Sequence, residues 1–148
     1  MSEVDQLHQL LHTRFGYQRF RDGQEETIES LLAGHDTMAV LPTGAGKSLL
    51  YQLPAYLLPH GVVIVSPLIS LMQDQVDRLR QRGEKRVVML SSQLQGPARD
   101  QVLRSLASFR FIFASPEILA NPAILTALSW VQPSMLVVDE AHCISQWG

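Results

Sequence analysis

The sequence predicts an α/β fold built on a mostly parallel sheet with helices on both faces, and three observations carry that expectation. Helix-like and strand-like segments alternate along nearly the whole chain, the pattern of parallel strands joined by crossover helices. The strand candidates are short continuous apolar runs such as Val62-Val63-Ile64-Val65, which suit strands covered on both sides. A glycine-rich turn, Gly44-Ala45-Gly46, lies between one strand and the next helix. Folds of this kind bind ligands there, beyond the carboxyl ends of the strands.

The elements follow in order. Residues 4–14 and 22–33 read as helices; in the second, Glu25, Glu26 and Glu29 face outward while Ile28, Leu31 and Leu32 face in. Gly34 stands where a helix C-terminus favours a residue without a Cβ. Residues 37–41 form a strand entering the glycine turn, and 46–53 a helix disturbed at Pro54. Strand 62–65 leads into a helix whose Ile69, Met72, Val76 and Leu79 recur at helical spacing as an inward stripe. The alternation continues with strand 86–90, helix 98–107, strand 111–114, helix 122–130 opened by Pro122, and strand 135–138.

Composition bounds the function. The 148 residues make one domain's length, and a 46% hydrophobic fraction excludes disorder as a description of the whole chain. Twelve Lys+Arg against fourteen Asp+Glu give a net charge of −2, which excludes a polybasic nucleic-acid tail or a cationic membrane binder. The charge is uneven: residues 1–60 sum to −3 and residues 61–133 to +3, so the middle is the better face for an anionic partner. Cys143 is the single cysteine, which excludes an internal disulfide and a cysteine-rich zinc site. With no apolar run behind the N-terminus and none near the ~18 residues of a membrane span, a soluble cytoplasmic chain without a membrane role is expected.

Two motifs carry chemistry. In Pro42-Thr43-Gly44-Ala45-Gly46-Lys47-Ser48 the glycines let backbone N–H groups converge on phosphate oxygens, and the helix that follows adds its dipole. Lys47 then reaches the β/γ-phosphates and Ser48 holds Mg²⁺. The general phosphate-loop pattern begins with Gly where this chain has Leu41. The second motif, Asp139-Glu140-Ala141-His142, follows the apolar run Met135-Leu136-Val137-Val138. A carboxylate at a strand end binds the metal's water shell, the role of Asp139, and its neighbour Glu140 orients and deprotonates the attacking water.

At these residues the chain resembles the superfamily 2 helicases, and among them the RecQ-like DNA helicases. Phe15-Gly16-Tyr17, Phe20-Arg21 and Gly23-Gln24-Glu25 are similar to that family's motif 0. Pro42 to Ser48 followed by Tyr51-Gln52-Leu53-Pro54 resembles motif I. Val65-Ser66-Pro67-Leu68-Ile69-Ser70-Leu71-Met72-Gln73-Asp74-Gln75 resembles motif Ia, and Ala114-Ser115-Pro116-Glu117-Ile118-Leu119 motif Ib. Asp139-Glu140-Ala141-His142-Cys143-Ile144-Ser145-Gln146-Trp147-Gly148 resembles motif II running into the aromatic-rich loop. The resemblance implies a RecA-like lobe, with 1–34 as a helical lead-in and 35–148 as the P-loop core. It also implies ATP and Mg²⁺ as cofactors, and 3′-to-5′ translocation on single-stranded DNA that unwinds duplex junctions in recombination and repair.

Roles follow from the same resemblance. Tyr17 stacks on adenine, and Arg21 and Gln24 contact the base or its surroundings, an amide being able both to donate and to accept. The alternative for Tyr17 is core packing beside Phe15 and Phe20. Thr43, Gly44, Ala45, Gly46, Lys47 and Ser48 cradle the phosphates, and His142 couples the nucleotide to the DNA site. Ser66, Ser70 and Ser115 meet the backbone of single-stranded DNA, although Ser-Pro pairs also simply terminate strands. Trp147 stacks on a base or relays DNA binding to Glu140; the alternative is packing. Arg78, Arg80 and Arg82, interleaved with Asp77 and followed by Glu84, read as a solvated helix face rather than a DNA-steering patch. A non-catalytic ATP- and DNA-binding module, or a P-loop kinase or GTPase, are the rivals; motif 0 and the Ser-Pro motifs oppose the last.

In RecA-like sheets the strand after motif II lies between those of motifs I and II. The resemblance therefore implies that strands 37–41 and 135–138 stand roughly 9–10 Å apart across an open slot. It also implies that the sheet is incomplete, that the chain alone is aggregation-prone or only partly folded, and that hydrolysis needs a second motor lobe beyond Gly148.

Overall fold

A computed structural model describes residues 2–33, 37–41 and 48–139, with backbone alone at Glu3, at 37–41 and at Asp139. Helices α1 (Glu3–Thr13) and α2 (Gln24–Ala33) precede strand β1 (Thr37–Leu41). Then come α3 (Leu49–Gln52), a 3-10 turn (Pro54–Leu57), β2 (Val62–Val65), α4 (Ile69–Gln81), β3 (Val87–Leu90) and α5 (Gly96–Arg104). The described chain closes with β4 (Phe111–Ala114), α6 (Pro116–Leu119), α7 (Pro122–Val131) and β5 (Met135–Asp139). Among the described residues no helix is long and apolar enough to cross a membrane.

All five strands lie in one sheet in the order β1-β5-β2-β4-β3, with every pairing parallel. Alternate strand residues feed two cores. Val62, Ile64, Phe111 and Phe113 pack with α1 to α4 on one face, and Val63, Val65, Ile112 and Ala114 with α7 on the other. Double coverage explains why β2 and β4 are buried at every position and why their sequences are continuous apolar runs.

The open slot is not there. β1 pairs directly with β5, in register from Thr37 opposite Met135 to Leu41 opposite Asp139. Direct pairing gives both strands the ladder partners a slot would have denied them, so the argument for aggregation from unpaired edges loses its premise. Smaller differences are local. Ile69, expected inside, is 37% exposed at the rim where α4 begins. The helix expected from residue 98 starts at Gly96, because Gln95 is its N-cap and Pro97 suits its first turn. The short α6, opened by Pro116, was not expected. The helix expected over 46–53 is described from Ser48, its N-cap, to Gln52, where Pro54 opens the 3-10 turn; 46 and 47 lie outside the described residues.

A charged cluster fastens the amino ends of the strands. Nη1 of Arg110 is within 2.8–3.1 Å of the carbonyls of Ala55, Leu58 and His60, closing the loop below β2. There a Cβ on Gly61 would stand 2.6 Å from the Phe109 carbonyl oxygen, so only glycine fits. Glu84, 4% exposed, accepts from Nε and Nη2 and from the backbone N–H of Arg86 at 3.0–3.1 Å. Burial pushes the Glu84 carboxyl up, but the hydrogen bonds from Arg86 and the Tyr56 hydroxyl outweigh it and leave it below its ordinary value. Burial, with Glu84 beside it, pushes the Tyr56 phenol up to about 12.

A carboxyl with a lowered folded pKa contributes stability that is full above its unfolded value and is lost as pH falls through the folded one. Glu84→Ala is expected to lower unfolding free energy by about 1–3 kcal/mol at neutral pH, because it removes the buried carboxylate that accepts from Arg86 and the Tyr56 hydroxyl. The difference from the parent should shrink on acidification below the ordinary carboxylate range. Urea unfolding across pH checks this, and a difference that stays constant into strong acid would overturn it.

Candidate nucleotide site

The motif 0 segment is shaped by the packing of its neighbours. Phe15 is 7% exposed in the core, Gly16 turns the chain with φ +74°, and the Tyr17 N–H donates to the Leu11 carbonyl at 3.1 Å. Phe20 meets His8 edge-on at 5.2 Å, and His8 reaches Glu25 at 3.2 Å. Tyr17 is left 48% exposed, so its ring is not core packing, and the alternative reading belongs to Phe15. At the start of α2 the Arg21 N–H donates to Oε1 of Gln24 at 2.8 Å, while Gln24 N–H donates to the Arg21 carbonyl at 3.1 Å. That reciprocal pair sets the two residues on one turn.

Tyr17, Arg21 and Gln24 line one cleft of about 200 Å³ together with Ser48, although 24 residues separate Gln24 from Ser48 in the chain. Ser48 makes no side-chain capping bond to α3, so its hydroxyl is not committed to the helix it precedes. Four arginines, Arg19, Arg21, Arg78 and Arg82, share the wall with Gln52, Gln75 and Leu49, and among the described residues no acid does. This is an environment for an anion.

Helical spacing gives Arg78 and Arg82 a solvated face, and both are exposed, yet both also border the cleft. Arg78 does pair with Asp74 at 3.5 Å with both side chains more than 60% exposed, but it also lines the cleft. Arg82 lies over the Phe15 ring at 5.2 Å; Arg80 is exposed and away from the cleft. Gln52 had a signal, being a lone polar residue in the apolar run Leu49-Leu50-Tyr51-Gln52-Leu53. Arg78 and Arg82 had none, since helical spacing alone does not say which neighbour a charged face meets.

The remaining site residues divide by position. Leu41 and Asp139 are register partners at the carboxyl ends of β1 and β5, next to Val138 opposite Val65 of β2. The backbones that lead into the phosphate loop and the acidic motif therefore end side by side, about 4.8 Å apart. Thr43, Gly44, Ala45, Gly46 and Lys47, and likewise Glu140, His142 and Trp147, lie outside the described residues. Among the serines assigned to DNA, Ser70 is exposed, whereas Ser66 and Ser115 are 2% exposed. Ser66 Oγ accepts from the Leu68 N–H at 3.2 Å and its N–H donates to the Ala114 carbonyl at 3.2 Å. The buried pair thus sits directly after β2 and β4, where the strand-terminating reading places it.

An oxygen-only donor set of one hydroxyl and one carboxylate, Ser48 and Asp139, suits Mg²⁺, which keeps most of its waters. No group of three His, Cys, Asp or Glu side chains able to hold a metal occurs among the described residues.

Comparison with known proteins agrees with this geometry. The family model described as DEAD/DEAH box helicase matches residues 21–148. The chain is 52% identical over 145 residues to a probable ATP-dependent DNA helicase RecS of Bacillus subtilis (strain 168), covering 98% of this chain and 29% of that protein. It is 43% identical over 141 residues to the ATP-dependent DNA helicase RecQ of Pasteurella multocida (strain Pm70), covering 94% and 22%. With the ATP-dependent DNA helicase RecQ of Synechocystis sp. the figures are 41% over 152 residues, 100% and 32%. The chain thus spans less than a third of the length of these relatives. Among solved structures, the DUF1998 helicase MrfA superposes with TM-score 0.60 at 16% identity, over 94% of this chain and 30% of that one. A hypothetical ATP-dependent RNA helicase from Sulfolobus tokodaii gives 0.57 at 15%, over 93% and 50%. At such identities these two establish the fold alone.

Proposed function

The chain belongs to the DEAD/DEAH box helicase family, and from that premise we propose that it is the ATP-binding motor lobe of a RecQ-type DNA helicase. The observation that carries the proposal is the cleft in which Tyr17, Arg21 and Gln24 of the lead-in meet Ser48. A base-holding segment beside a phosphate-loop helix is what an adenine nucleotide requires, and the arginine-lined wall suits its charge.

ATP lies with its base on the Tyr17 ring and its phosphates at the loop from Thr43 to Ser48, where Lys47 neutralises the β/γ-phosphate oxygens. Ser48 and Asp139 hold Mg²⁺, which supplies charge neutralisation of the phosphates when bound. Glu140 takes the proton of the attacking water, and His142 and Trp147 link that step to bound DNA. Single-stranded DNA runs over the first turn of α4 at Ser70, where contacts to its backbone carry no sequence preference. In the full-length protein, a cytoplasmic enzyme acting on the nucleoid if bacterial, a second lobe completes the hydrolytic site. Hydrolysis then drives 3′-to-5′ movement and the unwinding of duplex junctions in recombination and repair. ATP hydrolysis by the full-length protein, measured with and without an oligothymidylate, tests this reading. Hydrolysis that rises with the oligonucleotide is expected; hydrolysis indifferent to it would remove the DNA motor from the proposal.

A further inference from the structure

Two polar side chains on the cleft wall have no part in that scheme, and they are bonded to each other. Gln52, the last residue of α3, is 3% exposed, and its amide nitrogen donates to Oε1 of Gln75 at 3.0 Å. The bond joins the helix that starts at Ser48 to α4, the helix that starts where β2 ends. The same two helices also contribute to one apolar cluster, in which Leu49, Leu50 and Tyr51 join Met72, Val76 and Leu79. Apolar contact is non-directional and lets one helix slide on the other. A half-buried hydrogen bond between two amides is directional and favours one register.

Gln75 is placed between two functions. Ser70 lies five residues earlier on α4, about 7.5 Å along the axis, in an exposed first turn that also presents Leu68 and Ile69, 44% and 37% exposed. Three residues later Arg78 lines the nucleotide cleft. A rigid helix with one end at the nucleic-acid face and its middle in the nucleotide wall can couple the two, provided that its register against α3 is held.

We propose that Gln52 and Gln75 are positioning residues, and that their hydrogen bond makes α3 and α4 move as one piece when nucleotide or DNA binds. The inference rests on the reading under Proposed function. Nucleotide held at α3 then biases where α4 presents its first turn, and a strand bound at that turn biases α3, with reciprocal effects on the two affinities.

Stimulation of ATP hydrolysis by an oligothymidylate, measured on the full-length protein, tests the inference. Gln75→Leu and Gln52→Leu keep the bulk of the side chain and remove the bond, and the stimulation ratio is expected to fall to about onefold in each. Gln75→Glu keeps an acceptor in place and should retain most of the stimulation. Should the leucine variants fail to fold, Gln75→Asn, whose acceptor is one methylene short, should show the same loss of stimulation. Parental stimulation in folded Leu or Asn variants overturns this inference alone, and so does an equal loss in Gln75→Glu. A parent whose hydrolysis ignores the oligonucleotide overturns the proposed function and, with it, the coupling.

Discussion

Glu140→Gln is expected to lower ATP turnover in the full-length protein by about 10²–10⁴-fold, the usual contribution of a positioned general base, while ATP still binds. The amide matches the carboxylate in shape but cannot take the water's proton. Lys47→Ala should remove nearly all turnover as well, and it should weaken binding too, since no other cation in the turn from Pro42 to Ser48 can meet the β/γ-phosphates. Binding titrations beside hydrolysis rates separate the two roles. A Glu140→Gln protein that hydrolyses at near the parental rate would sink the catalytic assignment.

Tyr17→Ala is expected to weaken ATP binding by about 1–3 kcal/mol, or about 5–150-fold, on the scale of base–aromatic stacking. It should also narrow the preference for ATP over other nucleoside triphosphates, because the phosphate contacts survive while the base contact does not. Tyr17→Phe keeps the ring and should stay near the parent. The ring is 48% exposed, unlike the 7% of Phe15, so the alanine variant should lose affinity without a matching loss of thermal stability. Equal ATP affinities in titrations of Tyr17→Ala and the parent would detach the ring from the nucleotide.

Much of the fold is legible because it is local. β2 and β4 are continuous apolar runs, and a strand covered on both faces requires that run wherever it lies in the sheet. The stripe of Met72, Val76 and Leu79 on α4 is equally direct, a period of the chain itself that becomes a buried face. Ile69, the first residue of α4, breaks the stripe at 37% exposure, because position at a helix end is not recorded in the period. The short α6 escaped because four residues hold too little periodicity to read. Arg86 and Glu84 carry no pattern that foretells their bidentate pairing under the amino ends of the strands.

The residue types in the phosphate loop and the acidic motif are a matter of chemistry, since phosphate, metal and water each demand particular donors, and so they could be named from the chain alone. Where those residues meet is a matter of pairing across long separations. The order of β1 beside β5, the exposure of Tyr17, the burial of Ser66 and Ser115, and the entry of Arg78 and Arg82 into the cleft wall all depend on which distant segment packs against which. Strand order follows from satisfying backbone hydrogen bonds in a sheet rather than from any run of side chains. For the same reason the bond from Gln52 to Gln75, across 23 residues of chain, could be found only in the folded protein.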